Sequence, residues 1–301
     1  MTAVDDREHG TRAGAAAPRC AVCGAGMRFA FADDEARYHL CPTCDYLTPV
    51  VPDLDPRGLN DAIYIEKFDN NRVEAGVVDP KRRRKYGRFL ARVAPYRQLN
   101  RLLDIGCGAG RLLRVTAEAG WQAYGVDPAM EQLSRETPEG ITIVPRLLVD
   151  AGFAPGFFDV VHANEVFEHV EDPARLVEEI KAVLRPGGLL VFRTPNHRSW
   201  TAGAVGPRWR EFGLHGKGHV GFFSPASARA LLARAGFRQV DIETHHFSLR
   251  DRWRDDVPIV GPALRLGYKL VGQVARLFDR GERMTVHARL GDGPAGATDG
   301  G

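Results

Sequence analysis

The chain has little net charge, no long apolar run and few cysteines, and each shortage excludes a class of protein. Its 41 basic and 38 acidic residues leave a net charge of +3, too little to indicate nucleic-acid binding from charge alone. No stretch of about eighteen consecutive apolar residues is present, so we expect no membrane-spanning helix. Residues 1–19 contain early acidic residues and no apolar segment, so we expect no signal peptide and a cytoplasmic location.

Cysteine is scarce, but four of the five cysteines form two C-x2-C pairs separated by seventeen residues: Cys20, Cys23, Cys41 and Cys44. In a reducing compartment this spacing predicts a tetrahedral zinc site, with disulfides or unliganded thiols as the alternative. Two short strands are predicted between the pairs, at 27–31 and 36–40. The segment 19–48 therefore reads as a zinc ribbon, which is too small to bury a core and depends on its metal for folding energy.

Glycines are concentrated after a short apolar run at 101–105. Asp104 lies near the end of that run, and three alternating glycines come next: Gly106, Gly108 and Gly110. An amphipathic segment follows at once, so the order predicts a strand, a turn and a helix start, where bare backbone can lie against a cofactor. A dinucleotide fingerprint would place its third glycine at position 111, which is arginine in this chain.

Strands and helices alternate after the glycine turn. Strands are predicted at 122–126, 141–144, 157–162 and 189–193, and helices at 80–93, 128–136, 173–184 and 225–235. Such alternation implies a parallel sheet that is covered by helices on both faces. Two later strands, 237–244 and 283–290, flank an apolar helix at 260–278. That helix is expected to pack on the sheet or on the second subunit of a homodimer, with a membrane surface as the alternative.

The glycine turn resembles motif I, D-x-G-x-G-x-G, of the class I S-adenosyl-L-methionine (SAM) methyltransferases. The segment 165–173 resembles the E-x-x-E-H-V-x-D-P segment of ubiquinone-biosynthesis-like methyltransferases, and Leu-Arg-Pro-Gly-Gly at 184–188 is a further family feature. The resemblance covers about 80–290. It implies an α/β, Rossmann-like, seven-stranded, mostly parallel sheet with helices on both faces and an antiparallel last strand, behind a small amino-terminal zinc ribbon.

Composition and the resemblance together divide the chain into five predicted segments. They are a tail expected to be disordered (1–18), the zinc ribbon (19–48), a linker or substrate-side cap (49–79), the methyltransferase domain (80–290) and a second such tail (291–301).

The resemblance also implies which residues bind SAM. The glycine backbone approaches the amino-acid and ribose parts, and Asp127, at the end of the next strand, accepts from the ribose hydroxyls. Leu148 or Asp150 meets the adenine, and Asn164 lies beside the methyl group. The full cofactor-binding set is Asp104, Gly106, Gly108, Gly110, Asp127, Pro128, Leu148, Asp150 and Asn164.

A histidine is the expected base for an oxygen or nitrogen acceptor. His219, in the long loop 196–223, and His169 are the candidates. Glu165, Glu168 and His169 have two interpretations. They brace the loop after the fourth strand, which we favour, or they bind a catalytic divalent ion that His219 completes.

The acceptor implied by the resemblance is a small molecule or glycan in a biosynthetic pathway, methylated most often on oxygen. One alternative is an RNA base methyltransferase whose ribbon docks on RNA; its sequence support is the basic run 81–85, which is more often a solvated helix face. Nucleic acid is thus disfavoured without being excluded. A third alternative is a non-catalytic SAM-binding protein whose ribbon recruits a partner.

Overall fold

The computed structural model describes residues 17–51, 78–129, 140–212, 218–245 and 271–292. Most of both predicted tails, most of the predicted linker, most of the helix at 128–136 and the first part of the helix at 260–278 lie outside the described residues. Within the described ranges, no helix is long and apolar enough to cross a membrane.

The amino-terminal ribbon has three antiparallel strands, one more than expected. They are β1 (Arg28–Ala32), β2 (Arg37–Leu40) and β3 (Leu47–Val50), in the order β1-β2-β3. The sequence did not indicate β3 because its third residue is Pro49, which cannot donate to a strand ladder. The edge position of β3 accommodates this proline, and the strand extends two residues past the predicted end of the ribbon at 48.

The second unit begins with a well-capped helix. The carboxylate of Asp79 accepts from the backbone N–H groups of Lys81 at 3.0 Å and Arg82 at 2.9 Å, and Pro80 occupies the first turn, where its missing N–H costs nothing. Five α-helices lie in full within the described residues: α1 (Pro80–Val93), α2 (Arg111–Glu118), α3 (Pro173–Val183), α4 (Trp200–Val205) and α5 (Pro225–Arg234).

Seven strands form the central sheet: β4 (Arg101–Ile105), β5 (Gln122–Val126), β6 (Ile141–Val144), β7 (Phe158–Asn164), β8 (Leu184–Pro195), β9 (Phe237–His245) and β10 (Arg283–Leu290). Their order is β6-β5-β4-β7-β8-β10-β9. The first five are parallel, and β10 runs antiparallel to both β8 and β9. The predicted fold class is confirmed, and the carboxyl ends of the parallel strands share one edge where a site can form.

The apolar face expected on the helix at 260–278 is exposed in its described part. Residues 271–277 are helical, yet Val271 and Val274 are exposed, as is Phe278 just after them. The buried side of this helix is made by Gly272 and Ala275. These larger side chains therefore do not pack on the sheet, and packing on a second subunit stays a prediction.

Candidate functional site

The glycine turn lies between β4 and α2 at the carboxyl edge of the sheet. Gly106, Gly108 and Gly110 have φ values of 67°, 49° and 67°, in the left-handed region that favours glycine. The N–H of Gly106 donates to the carbonyl of Val126 at 2.8 Å, which fastens the turn to the end of β5. The turn thus presents backbone without side chains at these three positions.

Asp127 follows β5 and is bound to the same turn. One carboxylate oxygen accepts from the N–H of Gly108 at 2.8 Å, and the other accepts from the N–H of Ala129 at 3.0 Å. Burial raises the pKa of Asp127, and these two backbone donors partly oppose the rise. Each oxygen keeps a second lone pair, so the carboxylate can accept from a diol as well.

Asp104 and His162 form a pair on neighbouring strands that the sequence did not reveal. The register of β4 against β7 places them side by side, and His162 Nδ1 lies 2.7 Å from a carboxylate oxygen of Asp104. Since a carboxylate accepts, Nδ1 donates to Asp104, which leaves Nε2 as the acceptor nitrogen of the neutral imidazole. Phe89 of α1 packs on the imidazole ring, with centroids 4.8 Å apart.

A cavity of about 940 Å³ lies between α1 and the carboxyl edge of the sheet. Four of the residues expected to bind SAM line it: Asp104, Gly106, Gly108 and Asn164. His162 lines it too, and its far wall is formed by β9 and β10, through His245 and Thr285.

The remaining residues that were expected to bind SAM do not line this cavity. Asp127 is buried against the turn, Gly110 caps α2, and Pro128 is exposed. Leu148 is buried and Asp150 is exposed in the turn after β6. The cavity therefore covers the amino-acid end of the expected SAM site and extends away from the expected adenine end.

Comparison with known proteins decides the family. A model of the methyltransferase domain matches residues 78–242, more than half of the chain. This chain is a class I SAM-dependent methyltransferase. A protein of Azorhizobium caulinodans named ubiquinone biosynthesis O-methyltransferase is 31% identical to the methyltransferase over 221 residues, which are 68% of this chain and 83% of that protein.

Two solved structures share the fold of the methyltransferase. Phosphoethanolamine N-methyltransferase 2 of Haemonchus contortus gives a TM-score of 0.53 at 19% identity, over 82% of this chain and 62% of that chain. A 1,6-didemethyltoxoflavin-N1-methyltransferase of Burkholderia thailandensis gives 0.51 at 16% identity, over 88% and 99%. Both were solved with S-adenosylhomocysteine (SAH).

The four ribbon cysteines of the methyltransferase converge on one point. Their sulfur atoms lie within 4.8 Å of one another, with Cys20 and Cys44 at 3.5 Å and Cys23 and Cys41 at 3.4 Å. Four thiolates around a tetrahedral zinc ion at about 2.3 Å would be roughly 3.8 Å apart. The donor set and its spacing fit a zinc ribbon, and no disulfide joins these cysteines.

Two of the predicted catalytic residues, His169 and His219, lie in a second cluster of side chains that could bind a metal ion. Ligand atoms of Glu168, His169 and His219 lie within 4.8 Å of one another. Glu168 is fully buried; Thr194 donates to one of its oxygens at 2.9 Å, and the other, Oε1, has no hydrogen-bond partner among the described residues. Burial first, and then the charge of Glu165, raise the pKa of Glu168 well above its usual value.

Glu165 lies outside this cluster, which corrects the predicted ligand set. It forms ion pairs with Arg193 at 3.8 Å, on the neighbouring strand β8, and with Arg283 at the start of β10, which lies next to β8. Its φ of 58° turns the chain just after β7. Two strongly basic neighbours hold the Glu165 carboxylate at the sheet edge, so Glu168 and not Glu165 meets the histidines.

Residues 218–223, here called the strap, connect this cluster to the ribbon. On one side, the N–H groups of Val220 and Gly221 donate to the carbonyl of Glu168 at 2.8 and 3.1 Å. On the other side, Phe222 and Leu47 of β3 exchange backbone hydrogen bonds at 2.8 and 3.1 Å. The strap is thus held between the ribbon and the loop after β7, and it carries His219.

Polar contacts at Asp45 attach the ribbon to the residues after β8. Asp45 has a φ of 68°, where ribbons often place glycine, and its carboxylate binds Arg198 through two hydrogen bonds of 2.9–3.0 Å and a third, shorter one. Burial opposes ionisation of Asp45, but the Arg198 hydrogen bonds outweigh it, so the pKa of Asp45 is lowered. His197 Nε2 donates to the Asp45 carbonyl at 2.8 Å.

The buried His197 predicts a loss of stability in mild acid. Burial lowers the pKa of His197 to about 4, whereas the pKa of the same histidine in the unfolded chain is about 6.5. As the pH falls, the unfolded state therefore takes up a proton before the folded state does. The contribution of neutral His197 to stability is complete above pH 6.5 and is lost as the pH falls towards 4. The free energy of unfolding should fall by about 2 kcal/mol between pH 7 and pH 5 from this group alone.

Urea unfolding of wild type and His197→Gln at the two pH values measures this contribution. The loss between pH 7 and pH 5 should be about 2 kcal/mol smaller in the variant. Both proteins keep all the cysteines, so acid effects on the cysteine cluster cancel in the comparison. An equal loss in the two proteins would contradict the assignment to His197.

Proposed function

We propose that this methyltransferase transfers the methyl group of SAM to an oxygen atom of a small-molecule or glycan acceptor in a biosynthetic pathway. The observation that carries the proposal is the cavity that opens from the glycine turn and continues past Asn164 to β9 and β10. It offers space beyond the amino-acid end of the donor. The O-methyltransferase name of the Azorhizobium relative supports oxygen as the target and biosynthesis as the setting.

The donor site fits SAM in its chemistry. Positive φ values at Gly106 and Gly108 leave room for the donor, and Asp127 supplies a carboxylate whose outer lone pairs suit the ribose hydroxyls. In the reaction the S–CH3 bond of SAM breaks as the methyl carbon bonds to the acceptor oxygen, and the hydroxyl proton passes to a base. The residues contribute alignment and exclusion of water.

His219 and His169 remain our proposed bases, although neither is among the described residues that line the cavity. Their Nδ1 atoms lie 2.9 Å from the carbonyl of Glu211 and 3.0 Å from the carbonyl of Gly218. Because a carbonyl oxygen only accepts, Nδ1 carries the proton in both rings and Nε2 is the acceptor nitrogen. His162 is a third candidate, since it has the same tautomer and lines the cavity.

The cluster of Glu168, His169 and His219 also has the chemistry of a divalent-ion site. Mixed carboxylate and imidazole ligands suit several divalent metals, and the buried Oε1 of Glu168 has no hydrogen-bond partner among the described residues. These three residues would hold the ion, which would polarise an acceptor oxygen. For the ribbon, we propose that Cys20, Cys23, Cys41 and Cys44 hold a structural zinc ion.

The test of the proposal uses methyl-labelled SAM, purified protein and an extract of the source cell. The product is separated into RNA, protein, lipid and small-molecule or glycan fractions. We expect label in the small-molecule or glycan fraction, and none with heat-denatured protein. Label in RNA would contradict the proposal and support an RNA methyltransferase; absence of SAM binding would contradict an enzymatic role.

Variants tested in the same assay distinguish among the three candidate bases. His219→Gln, His169→Gln and His162→Gln should each keep SAH binding, and loss of a true base should lower kcat by about 100-fold or more. The pH dependence of the remaining activity distinguishes a base from a positioning residue, because only loss of the base removes the acidic limb of the profile. Prior dialysis against a chelator, with zinc in the ribbon monitored separately, tests the divalent ion.

A further inference from the structure

The cavity beside the donor site carries an excess of positive charge on its described wall. Six basic side chains line it: Arg82, Lys85, Arg88, Arg92, Arg111 and Arg193. Among the described residues only two acidic side chains do so, Asp104 and Glu243. Residues 81–85 are all exposed, as expected of a solvated helix face, and two of them, Arg82 and Lys85, also line this cavity.

Both acidic residues already have partners. Asp104 is bound to His162 at 2.7 Å, and Glu243 forms an ion pair with Arg92 at 2.5 Å. Lys85, Arg88 and Arg111 have no ion pair within the described part of the chain. The positive charge at the α1 side of the cavity is therefore not neutralised by the described residues that line it.

Arg193 extends this charge to the opposite wall. Its side chain is about one-quarter exposed, and its buried Nε has no hydrogen-bond partner among the described residues. Its nearest acid, Glu165 at 3.8 Å, is shared with Arg283. Lys85 and Arg193 line the same cavity, and the protein around Lys85, together with the charge of Arg193, lowers the pKa of Lys85.

SAM increases the imbalance when it binds. Its sulfonium and ammonium groups carry two positive charges, and its single carboxylate can neutralise only one of the wall cations. A cationic donor in a cationic cavity is disfavoured by Coulomb repulsion unless an anion is present. The guanidinium and ammonium groups on the wall are the groups that proteins use to bind phosphate and carboxylate.

We infer that the acceptor carries a phosphate or carboxylate group, which Lys85, Arg88 and Arg193 bind while a hydroxyl of the same molecule receives the methyl group. This inference rests on the proposed function, because it assigns the acceptor class to the same cavity. The anionic group is an anchor and is unchanged in the reaction. Binding of the anion also offsets the sulfonium charge, so acceptor and SAM support each other's binding.

The test measures anion binding directly, in the full chain saturated with SAH. Inorganic pyrophosphate and citrate are titrated by calorimetry into wild type, into the double variant Lys85→Gln/Arg88→Gln, and into Arg84→Gln. Arg84 lies on the same helix and is exposed, but it does not line the cavity, so its replacement removes one unit of charge without touching the proposed anchor.

Wild type should bind one anion per chain, the double variant should bind it at least ten-fold more weakly, and Arg84→Gln should change the dissociation constant less than two-fold. Stronger binding of pyrophosphate identifies a phosphate anchor, and stronger binding of citrate identifies a carboxylate anchor. An equal loss in Arg84→Gln, or displacement of pyrophosphate by a single-stranded RNA 20-mer, would contradict the inference by showing a diffuse polyanion surface.

Failure of the inference is distinguishable from failure of the proposed function. If neither anion binds but SAH does, the acceptor is not anchored by an anionic group and methyl transfer stands. If wild type does not bind SAH, the proposed function fails at its first step. SAH binding by the double variant shows that the variant is folded, so a lost anion signal cannot be due to unfolding.

Discussion

Replacing Cys41 by serine should lower methyl transfer about 100-fold and leave the dissociation constant for SAH within about three-fold, since misplacing a reacting group by about 1 Å costs this much. The second knuckle of the ribbon closes when the N–H of Cys41 donates to the Tyr46 carbonyl at 2.8 Å. Tyr46 packs on Phe223 of the strap, with ring centroids 5.0 Å apart. Loss of the metal site loosens this contact and displaces His219.

SAH binding should survive because the glycine turn makes its contacts elsewhere. Gly106 and Gly108 are fixed by Val126 and Asp127, none of which belongs to the ribbon. Zinc content is measured by metal analysis, transfer with labelled SAM, and SAH binding by calorimetry. Retained activity in a zinc-free variant would show that the ribbon does not position the strap.

A second variant disturbs the same contact and leaves every cysteine in place. A Cβ on Gly221 would lie 2.0 Å from the hydroxyl oxygen of Tyr46, which is fully buried and cannot easily move aside. Gly221→Ala should therefore lower transfer in the same direction as Cys41→Ser while keeping zinc. If both variants also lose SAH binding, the ribbon belongs to the folding core of the domain and is not a support for the strap alone.

Replacing Asp127 by asparagine should raise the dissociation constant for SAH about 30- to 150-fold, or about 2–3 kcal/mol, the usual cost of losing hydrogen bonds to a charged group. The carboxylate accepts from two backbone N–H groups, of Gly108 and Ala129. An amide has only one oxygen, so its NH2 group would face one of these donors. The replacement therefore distorts the turn and, at the same time, removes the proposed acceptor for the ribose hydroxyls.

Calorimetry with SAH measures this loss, and Glu178→Gln is the matched control. Glu178 lies on α3 and pairs with Lys181 at 3.1 Å, in an exposed position outside the cavity wall. The control should bind SAH as wild type does. A change of less than three-fold in Asp127→Asn would remove Asp127 from the donor site.

Local patterns could be predicted from the sequence because their physics is local. The strand, the glycine turn and the helix start around Gly106 follow from consecutive residues, and the structure has them as expected. The cap pair Asp79–Pro80 also placed the start of α1 correctly. The four cysteines lie close together because each pair is on a short turn and a hairpin joins the two turns, which leaves the pairs little freedom to separate.

Features that depend on register or on distant segments could not be predicted. His162 became part of the site only because β4 and β7 align it with Asp104, fifty-eight residues earlier in the chain. Arg193 on β8 and Lys85 on α1 line the same cavity, and no spacing within the chain links the two. Glu165 was grouped with Glu168 by motif, but ion pairs with strands β8 and β10 hold it apart.

The attachment of the ribbon has a consequence for how the chain is made. Asp45 and Arg198 are 153 residues apart in the sequence, so at about 5–20 residues per second the ribbon waits roughly 8–30 s on the ribosome for its docking surface. During that interval Phe212 and Phe223, which pack on Tyr38 and Tyr46 in the finished protein, are not yet in place. Metal uptake by the nascent ribbon would then precede docking, and cells short of zinc should accumulate a chain that is complete in length and prone to aggregate.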